Sequence, residues 1–262
     1  MKNNGLEQNS FQKKLHNGLL INVTPQEHIQ RQLFWYGFYE KKFILTWENF
    51  IQKDSVVIDI GANIGYYSLI ASKKAAGGKV YSFEPFSGSY HLLKKNIELN
   101  HIQNIFPFQL AISNQRDEKI LFISDPENSG MTGFTQAENF AGETEIATAV
   151  ALEQWVKVHD LKKIDFIKID IEGSEYDSLL GMKSVLQVFK PVLFIEVSDM
   201  LLQRFNHDFK DLYNFLQVYG YKPFFIEKPN ILKPLLSPAQ DELIVFLPKN
   251  YSLPEAIQLV EK

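Results

Sequence analysis

The sequence predicts an α/β fold in which a mostly parallel sheet is covered by helices on both faces. From residue 56 onward, short apolar runs alternate with segments of helical spacing, as in chains built from strand-helix-strand units. A small-residue turn containing Gly61 and Gly65 directly follows the first apolar run, and acidic side chains end three later runs. These features are typical of doubly wound sheets, which bind ligands at the carboxyl ends of their strands.

The predicted elements follow one another in a regular order. Core strands are predicted at residues 56–60, 80–83, 105–112, 164–169 and 192–197, and helices at 66–74, 90–100, 152–159, 176–189 and 209–219. Two short strands beside a polar insertion are predicted at 120–123 and 146–150. Residues 221–226 and 242–247 suit an antiparallel closing pair, because Pro229 and Pro234 mark a loop too irregular for a crossover helix.

The beginning of the chain has a different character. Residues 25–50 have helical spacing and carry a cluster of aromatic side chains, namely Phe34, Trp35, Tyr36, Phe38, Tyr39, Phe43 and Trp47. Such clusters more often pack than take part in chemistry. We therefore expect a helical cap that lies on the sheet or across the ligand cleft.

Composition narrows the class of protein. The 262 residues are 45% hydrophobic, enough for one large domain, and no apolar run reaches the length of a membrane-spanning helix. The absence of cysteine excludes a disulfide framework and a thiolate nucleophile. The net charge of -4 argues against a nucleic-acid partner. We expect a cytoplasmic protein without a membrane partner, and the sequence leaves its oligomeric state open.

The turn after the first strand differs from a dinucleotide-binding loop. Such a loop has three glycines, whereas here Asn63 holds the central position and Tyr66 stands where the third glycine would fall. The pattern resembles the S-adenosylmethionine loop of methyltransferases. Because Gly61 and Gly65 have no Cβ, we expect the backbone to approach the ligand closely there.

A second motif lies at the end of the second strand. Glu84 follows that strand directly, about 20 residues beyond the glycine turn, which is the spacing of a ribose-binding acid. Pro85 cannot extend a strand, so the strand must end where Glu84 emerges. A carboxylate at this point can accept the hydrogen bonds of both ribose hydroxyls.

The fourth strand ends in a cluster of acids. Asp170, Glu172 and Glu175 lie within six positions and would repel one another on a packed strand, so we expect them at its open end, beside a ligand or ion. Glu175 also suits the first turn of a helix. Glu196, at the end of the next strand, should stand alongside them.

Together, these motifs resemble the FkbM family of S-adenosylmethionine-dependent methyltransferases. The resemblance covers roughly residues 54 to 200 and rests on the runs 59–65, 83–85, 110–113, 168–175 and 195–197. It implies a Rossmann-like, seven-stranded class I methyltransferase sheet with one antiparallel strand. We expect the chain to divide into three parts, which are a helical cap at 1–53, a methyltransferase domain at 54–250 and a tail at 251–262.

The resemblance assigns roles position by position. Asp59, Gly61, Asn63 and Gly65 would contact the methionine part of S-adenosylmethionine, with Asp59 helping to hold its ammonium group. Glu84 would bind the ribose, Ala111 and Ile112 would edge the adenine from the tip of the third strand, and Phe86 would stack on it. Asn128 would contact the substrate, and Asp170, Glu172 and Glu196 would lie near the transferred methyl group.

The function implied is methylation of a hydroxyl oxygen on a small molecule such as a sugar or secondary metabolite. A carboxylate would remove the hydroxyl proton, with Asp170 the first candidate and Glu172 the second. The acidic cluster is also compatible with a divalent ion, but no metal motif of diagnostic spacing is present and no metal is predicted. Two alternatives stay open, a nicotinamide-dependent oxidoreductase and a noncatalytic interaction module that keeps the cofactor fold.

Overall fold

The computed structural model describes residues 10–123, 132–135, 142–235 and 242–260. Its strands are β1 Phe11–Lys14, β2 Leu20–Val23, β3 Val56–Ile60, β4 Lys79–Phe83, β5 Ile105–Phe108, β6 Ala111–Ser113, β7 Asp117–Ile123, β8 Glu143–Ala151, β9 Phe166–Ile169, β10 Val192–Val197, β11 Tyr221–Lys228, β12 Ile231–Pro234, β13 Glu242–Pro248 and β14 Gln258–Leu259. Its helices are α1 His28–Tyr36, α2 Lys41–Phe50, α3 Tyr66–Lys74, α4 Ser87–Leu99, α5 Leu152–Val158, α6 Glu175–Leu180, α7 Lys183–Val188, α8 Asp199–Leu202 and α9 Phe209–Val218.

The main sheet has the order β14-β12-β11-β13-β10-β9-β3-β4-β5. The five strands from β10 to β5 are parallel, and β13 is antiparallel to both β10 and β11, as the predicted closing pair requires. The expected count of seven strands is wrong, because β12 and β14 extend the β11 edge to nine strands. Asn230, with a left-handed φ of 67°, turns the chain from β11 directly into β12.

Two predicted elements are divided in the structure. The third strand, expected at 105–112, ends at Phe108, and Ala111 and Ile112 begin the separate strand β6. This strand belongs to a three-stranded sheet of order β6-β8-β7. The helix expected at 176–189 breaks at Gly181, where a Cβ would lie 1.9 Å from the carbonyl oxygen of Ser113, so only glycine allows this close approach.

Alternate side chains of the core strands pack on opposite faces of the sheet. On β10, Phe194 joins the apolar cluster under α2 and α3, whereas Leu193 and Ile195 join the cluster under α6, α7 and α9. All three side chains are fully buried. Helices therefore cover both faces, as the apolar β3, β9 and β10 require.

The N-terminal segment is helical only in part. The strands β1 and β2 pair antiparallel before α1 and α2 begin, so a purely helical cap is a wrong description of residues 10–50. On α2, Trp47 and Phe50 are fully buried, and their rings lie edge-on to Phe194 at centroid distances of 4.9 and 5.3 Å. Because α2 packs directly on the sheet, the segment belongs to the same hydrophobic core.

No helix among residues 10–123, 132–135, 142–235 and 242–260 is both long and apolar enough to cross a membrane.

Replacing Trp47 by alanine should destabilise the protein by about 3–5 kcal/mol, because a large buried ring is lost and leaves a cavity against Phe194. Urea denaturation measures this difference in unfolding free energy. Trp35→Ala is the matched control, since that side chain is 67% exposed and should change stability by less than about 0.5 kcal/mol. Equal losses in the two variants would contradict the packing described for α2.

Candidate active site

A pocket opens at the carboxyl ends of β3, β4, β9 and β10, with β6 along one side. Of the predicted site residues, the following line it: Gly61, Asn63, Glu84, Phe86, Ala111, Ile112, Asp170, Glu172 and Glu196. Ile29 and Tyr39 of the N-terminal segment also line it, although sequence reasoning assigned them no role. Asp59 and Gly65 do not line the pocket, and Asn128 lies outside the described residues.

The glycines of the first loop are required for packing inside the protein. Gly61 has a φ of 76°, and a Cβ there would lie 1.8 Å from the carbonyl oxygen of Asp170. A Cβ on Gly65, where φ is 93°, would lie 2.5 Å from Leu93 Cδ1. Packing therefore gives a reason for glycine at both positions besides the expected approach to the ligand, and Gly61 also lines the pocket. The small size of the two glycines seats the loop against the end of β9 and against α4.

Glu84 and Asn63 form one corner of the pocket. The two carboxylate oxygens of Glu84 accept hydrogen bonds from the backbone N–H of Asn63 at 2.8 Å and of Phe86 at 2.9 Å. Burial raises the pKa of Glu84 to about 7, although these two hydrogen bonds oppose the shift. The Oδ1 atom of Asn63 is buried and has no hydrogen-bond partner among the described residues. This corner therefore offers a carboxylate and a free amide oxygen to a ligand.

Asp59 lies below the pocket, not in its wall. Its side chain is fully buried on β3, where Oδ2 accepts a 2.5 Å hydrogen bond from Ser68 and Oδ1 lies 3.6 Å from Lys168 Nζ. The direct contact expected with an ammonium group of the cofactor is therefore not supported by its position. Asp59 instead neutralises part of the charge of a buried lysine.

Lys168 lines the pocket as well, and the sequence reasoning assigned it no role. Its side chain is 2% exposed, and Nζ lies 3.0 Å from Asp170 Oδ2, 3.3 Å from the carbonyl oxygen of Gly61 and 4.9 Å from the ring centroid of Tyr67. The signal was present, because Lys168 interrupts the otherwise apolar strand β9. A lysine is almost never fully buried unless it is paired.

The acids at the ends of β9 and β10 are brought together as predicted from the sequence. Asp170, Glu172 and Glu196 each place a carboxylate oxygen within 4.8 Å of the others. The negative charge of Asp170, together with burial, raises the pKa of Glu196 well above its usual range. Burial also acts to raise the pKa of Asp170, but Lys168 and a hydrogen bond with Glu196 outweigh it and lower that pKa. The two pKa shifts have opposite directions, so Asp170 is the more acidic of the two carboxyl groups.

Glu172 is held in an unusual backbone conformation. Its φ is 56°, and the following Gly173 has a φ of 103°. The Oε1 atom of Glu175 accepts the backbone N–H of Ile171 at 3.1 Å and of Gly173 at 3.2 Å, so the buried Glu175 carboxylate clamps the loop on both sides of Glu172. Burial, then the charge of Asp170, raises the pKa of Glu172 to about 8. Glu175 thus does more than favour the start of a helix.

The N-terminal segment reaches the same cluster through hydrogen bonds. The hydroxyl of Tyr67 donates a 2.7 Å hydrogen bond to Glu40 Oε2, and the Tyr67 ring faces the ammonium of Lys168. Burial, then the charge of Asp170, raises the pKa of Glu40 to about 7. Residues far apart in the sequence therefore share one electrostatic environment.

The pocket fits a nucleoside cofactor with a charged tail. The carboxylate of Glu84 can accept hydroxyl hydrogen bonds, and the unpaired Oδ1 of Asn63 can accept one from an ammonium group. The spacing of the three acids suits a divalent cation, but the ammonium of Lys168 already contacts Asp170 and supplies positive charge there. We assign no metal to the site.

This fold and pocket are those of an α/β methyltransferase with a mostly parallel sheet. The crystal structure of methyltransferase FkbM from Methylobacillus flagellatus KT superposes with a TM-score of 0.50 at 16% identity, over 84% of this chain and 48% of that one. The sequence profile described as "Methyltransferase FkbM domain" matches residues 59–223. The chain belongs to the FkbM family of S-adenosylmethionine-dependent methyltransferases, as the motifs predicted.

Several curated proteins share part of the sequence. Hexuronic acid methyltransferase AglP of Haloferax volcanii is 29% identical over 136 residues, which cover 52% of this chain and 53% of AglP. The AMB antimetabolite synthetase AmbE of Pseudomonas aeruginosa is 22% identical over 214 residues, which cover 68% of this chain and 10% of AmbE. Methyltransferase 1 of Beauveria bassiana is 23% identical over 147 residues, or 49% of this chain and 59% of that protein. The chain thus spans less than two thirds of each of these relatives.

Gly61→Ala should weaken cofactor binding, because the new Cβ would displace the carbonyl of Asp170 and with it the acidic end of the pocket. We expect at least about a tenfold rise in the Kd for S-adenosylhomocysteine, measured by calorimetry. Gly18→Ala is the control, since Gly18 also has a left-handed φ, 91°, but its Cβ would meet nothing closer than 3.7 Å. That variant should lose only about 1–2 kcal/mol of stability and bind normally. Similar binding by both variants would refute the packing role of Gly61.

Proposed function

We propose that this protein transfers a methyl group from S-adenosylmethionine to a hydroxyl oxygen of a small molecule, such as a sugar or secondary metabolite. One observation carries the proposal. A single pocket joins the Glu84 and Asn63 corner to three half-buried carboxylates, those of Asp170, Glu172 and Glu196. The similarity to a hexuronic acid methyltransferase supports a sugar-type acceptor.

The cofactor would lie along the ends of β3, β4 and β6. Glu84 would accept hydrogen bonds from the ribose hydroxyls, and Asn63 Oδ1 would accept one from the ammonium group. Ala111 and Ile112 would border the adenine, as predicted from the sequence, although they begin β6 and do not end a longer strand. Phe86, also in the pocket wall, would lie against the same ring. The methionine end would then point towards Asp170.

The chemistry requires alignment and removal of one proton. S-adenosylmethionine supplies an activated methyl group on a positively charged sulfur. The chain must hold the acceptor oxygen in line with that group and accept the hydroxyl proton. Asp170 suits the second task because Lys168, 3.0 Å away, lowers its pKa, whereas the charge of Asp170 and burial raise the pKa of Glu196. Glu172, with a pKa raised to about 8, is the second candidate base.

The wider organisation is proposed on the same basis. The methyltransferase domain would span residues 54–250, with Ile29 and Tyr39 of the segment 1–53 in the pocket wall. The expected tail at 251–262 is not supported, because Gln258–Leu259 form β14 of the main sheet and Ile257 is buried in the core. We propose a cytoplasmic protein with a small-molecule partner, because cysteine is absent and the net charge of -4 is unsuited to a nucleic-acid backbone. Family membership makes a nicotinamide-dependent oxidoreductase the weaker alternative. A noncatalytic module would bind the cofactor without transferring its methyl group.

The direct test is incubation with methyl-labelled S-adenosylmethionine and a panel of sugars and other hydroxylated metabolites. We expect label on a hydroxyl oxygen of at least one acceptor and unchanged transfer in the presence of a chelator. In Asp170→Asn, transfer should fall by about 100-fold or more, since general-base catalysis is lost. Cofactor binding without transfer to any acceptor would favour a noncatalytic module, and failure to bind S-adenosylhomocysteine would overturn the proposal.

Cofactor affinity should rise with pH through the region of pH 7. The pKa of Glu84 is raised to about 7, so below that value its carboxyl is increasingly neutral and accepts the ribose hydrogen bonds less well. We expect the affinity for S-adenosylhomocysteine to fall by up to about tenfold for each pH unit below 7. Calorimetry at several pH values measures this slope.

Glu84→Gln should lower that slope by one proton per molecule. Glu98→Gln provides the control, because Glu98 is an exposed residue of α4 and should leave the slope as it is in the wild type. A pH dependence that is identical in wild type and Glu84→Gln would show that Glu84 does not bind the ribose as an ionised group.

A further inference from the structure

Lys168 lies at one end of a polar row that crosses three strands inside the apolar sheet, with Asp59 in its middle. Asp59 on β3 is in register with Lys168 on β9 and with Ser82 on β4. Ser68 on α3 joins the row, because its hydroxyl hydrogen-bonds Asp59 Oδ2 at 2.5 Å and Ser82 Oγ at 2.7 Å. All four of these side chains are buried. The row thus runs from Ser82 on β4 to the ammonium of Lys168 on β9.

A buried ammonium is costly, and its environment shows what offsets that cost. Removing a lysine from water costs several kcal/mol in effective terms unless opposite charges and hydrogen bonds compensate for it. Lys168 has two carboxylate neighbours, Asp170 at 3.0 Å and Asp59 at 3.6 Å, and one carbonyl neighbour, that of Gly61, at 3.3 Å. Asp59 pairs with the ammonium inside the sheet, and Asp170 pairs with it in the wall of the pocket.

The two carboxylates differ in what else they face. Asp59 is fully buried, whereas the Asp170 side chain is 29% exposed and lines the pocket. Glu196, the nearest rival to Asp170, has no ion pair with a lysine or arginine among the described residues. Asp170 and Glu196 therefore differ in their position relative to the ammonium of Lys168, because only Asp170 of these two acids forms an ion pair with it in the described part of the chain.

We propose that Lys168 is the positioning residue of the active site, and that its ammonium orients the Asp170 carboxylate so that Asp170, and not Glu196, takes the proton of the acceptor hydroxyl. This inference rests on the proposed methyl transfer. In that reaction the acceptor oxygen forms a bond to the methyl carbon, the sulfur–methyl bond breaks, and sulfur keeps the electron pair. The hydroxyl proton passes to Asp170, so charge and atoms balance without a further reactant.

The ionisable groups around Asp170 agree with this assignment. Lys168 and a hydrogen bond with Glu196 lower the pKa of Asp170, and the charge of Asp170 in turn raises the pKa of Glu196. The negative charge of Asp170 also acts to raise the pKa of several acids and phenols. These are Tyr39, Glu40, Asp59, Tyr67, Glu172 and Glu175. No second lysine or arginine lies within ion-pair distance of Asp170 in the described part of the chain.

The decisive variant is Lys168→Met, which keeps the length of the side chain and removes its charge. We expect kcat at pH 7 to fall by about 100-fold and the acid limb of the pH–rate profile to move upward by at least about one pH unit. Lys168→Arg should restore part of the rate and return the limb towards its wild-type position. A purely structural role would lower the rate without moving the limb, and that result would overturn the proposal.

Lys163→Met is the matched control. Lys163 precedes β9 and pairs with Asp54 and Asp165, but it is 46% exposed and far from the pocket lining. It should leave both rate and pH profile unchanged. Melting temperature and the Kd for S-adenosylhomocysteine are measured for all variants, so that a loss of folding is recognised.

A second measurement needs neither an acceptor nor a folded Lys168→Met. In wild-type protein with carbon-13 in its carboxyl groups, the Asp170 resonance is identified by its loss in Asp170→Asn. It should report an ionised carboxylate at pH 7, while the Glu196 resonance, identified in Glu196→Gln, reports a protonated one. The reverse assignment would overturn the proposal. If wild type neither binds the cofactor nor transfers a methyl group, the proposed function fails instead, whatever these resonances show.

Discussion

The structure of the site depends on one buried ammonium group. Lys168 lies inside the sheet, where a charge persists only if opposite charges are close. Its pairing with Asp59 and Asp170, and its contact with the carbonyl of Gly61, joins β3, the first loop and the end of β9. The side chain of Lys168 therefore connects the first loop with the acidic side of the pocket.

Close backbone packing provides the second constraint. Gly61 allows the first loop to rest on the carbonyl of Asp170, and the Glu175 carboxylate holds the backbone N–H groups on either side of Glu172. Both the Gly61 contact and the Glu175 hydrogen bonds hold the short segment that follows β9. Contacts within the protein thus hold this part of the pocket wall in place, as supporting interactions do for reacting groups in enzymes.

Family membership and site geometry answer different questions. The FkbM profile covers residues 59–223 and so explains the shared sheet, loop and acidic cluster. It does not cover Ile29 and Tyr39, which come from the N-terminal segment and also line the pocket. Part of the pocket wall therefore lies outside the matched family domain, and the family motifs could not reveal these residues.

The sequence by itself determined the parallel sheet, the glycine turn and the meeting of Glu84, Asp170 and Glu196, because parallel strands end at the same edge of a sheet. Only the tertiary structure decided that Asp59 faces Lys168 and not the pocket, and that Lys168 pairs with Asp170. The division of the third strand and the two added edge strands also appeared only there. These features depend on strand register, burial and contacts between distant residues, none of which local pattern or spacing specifies.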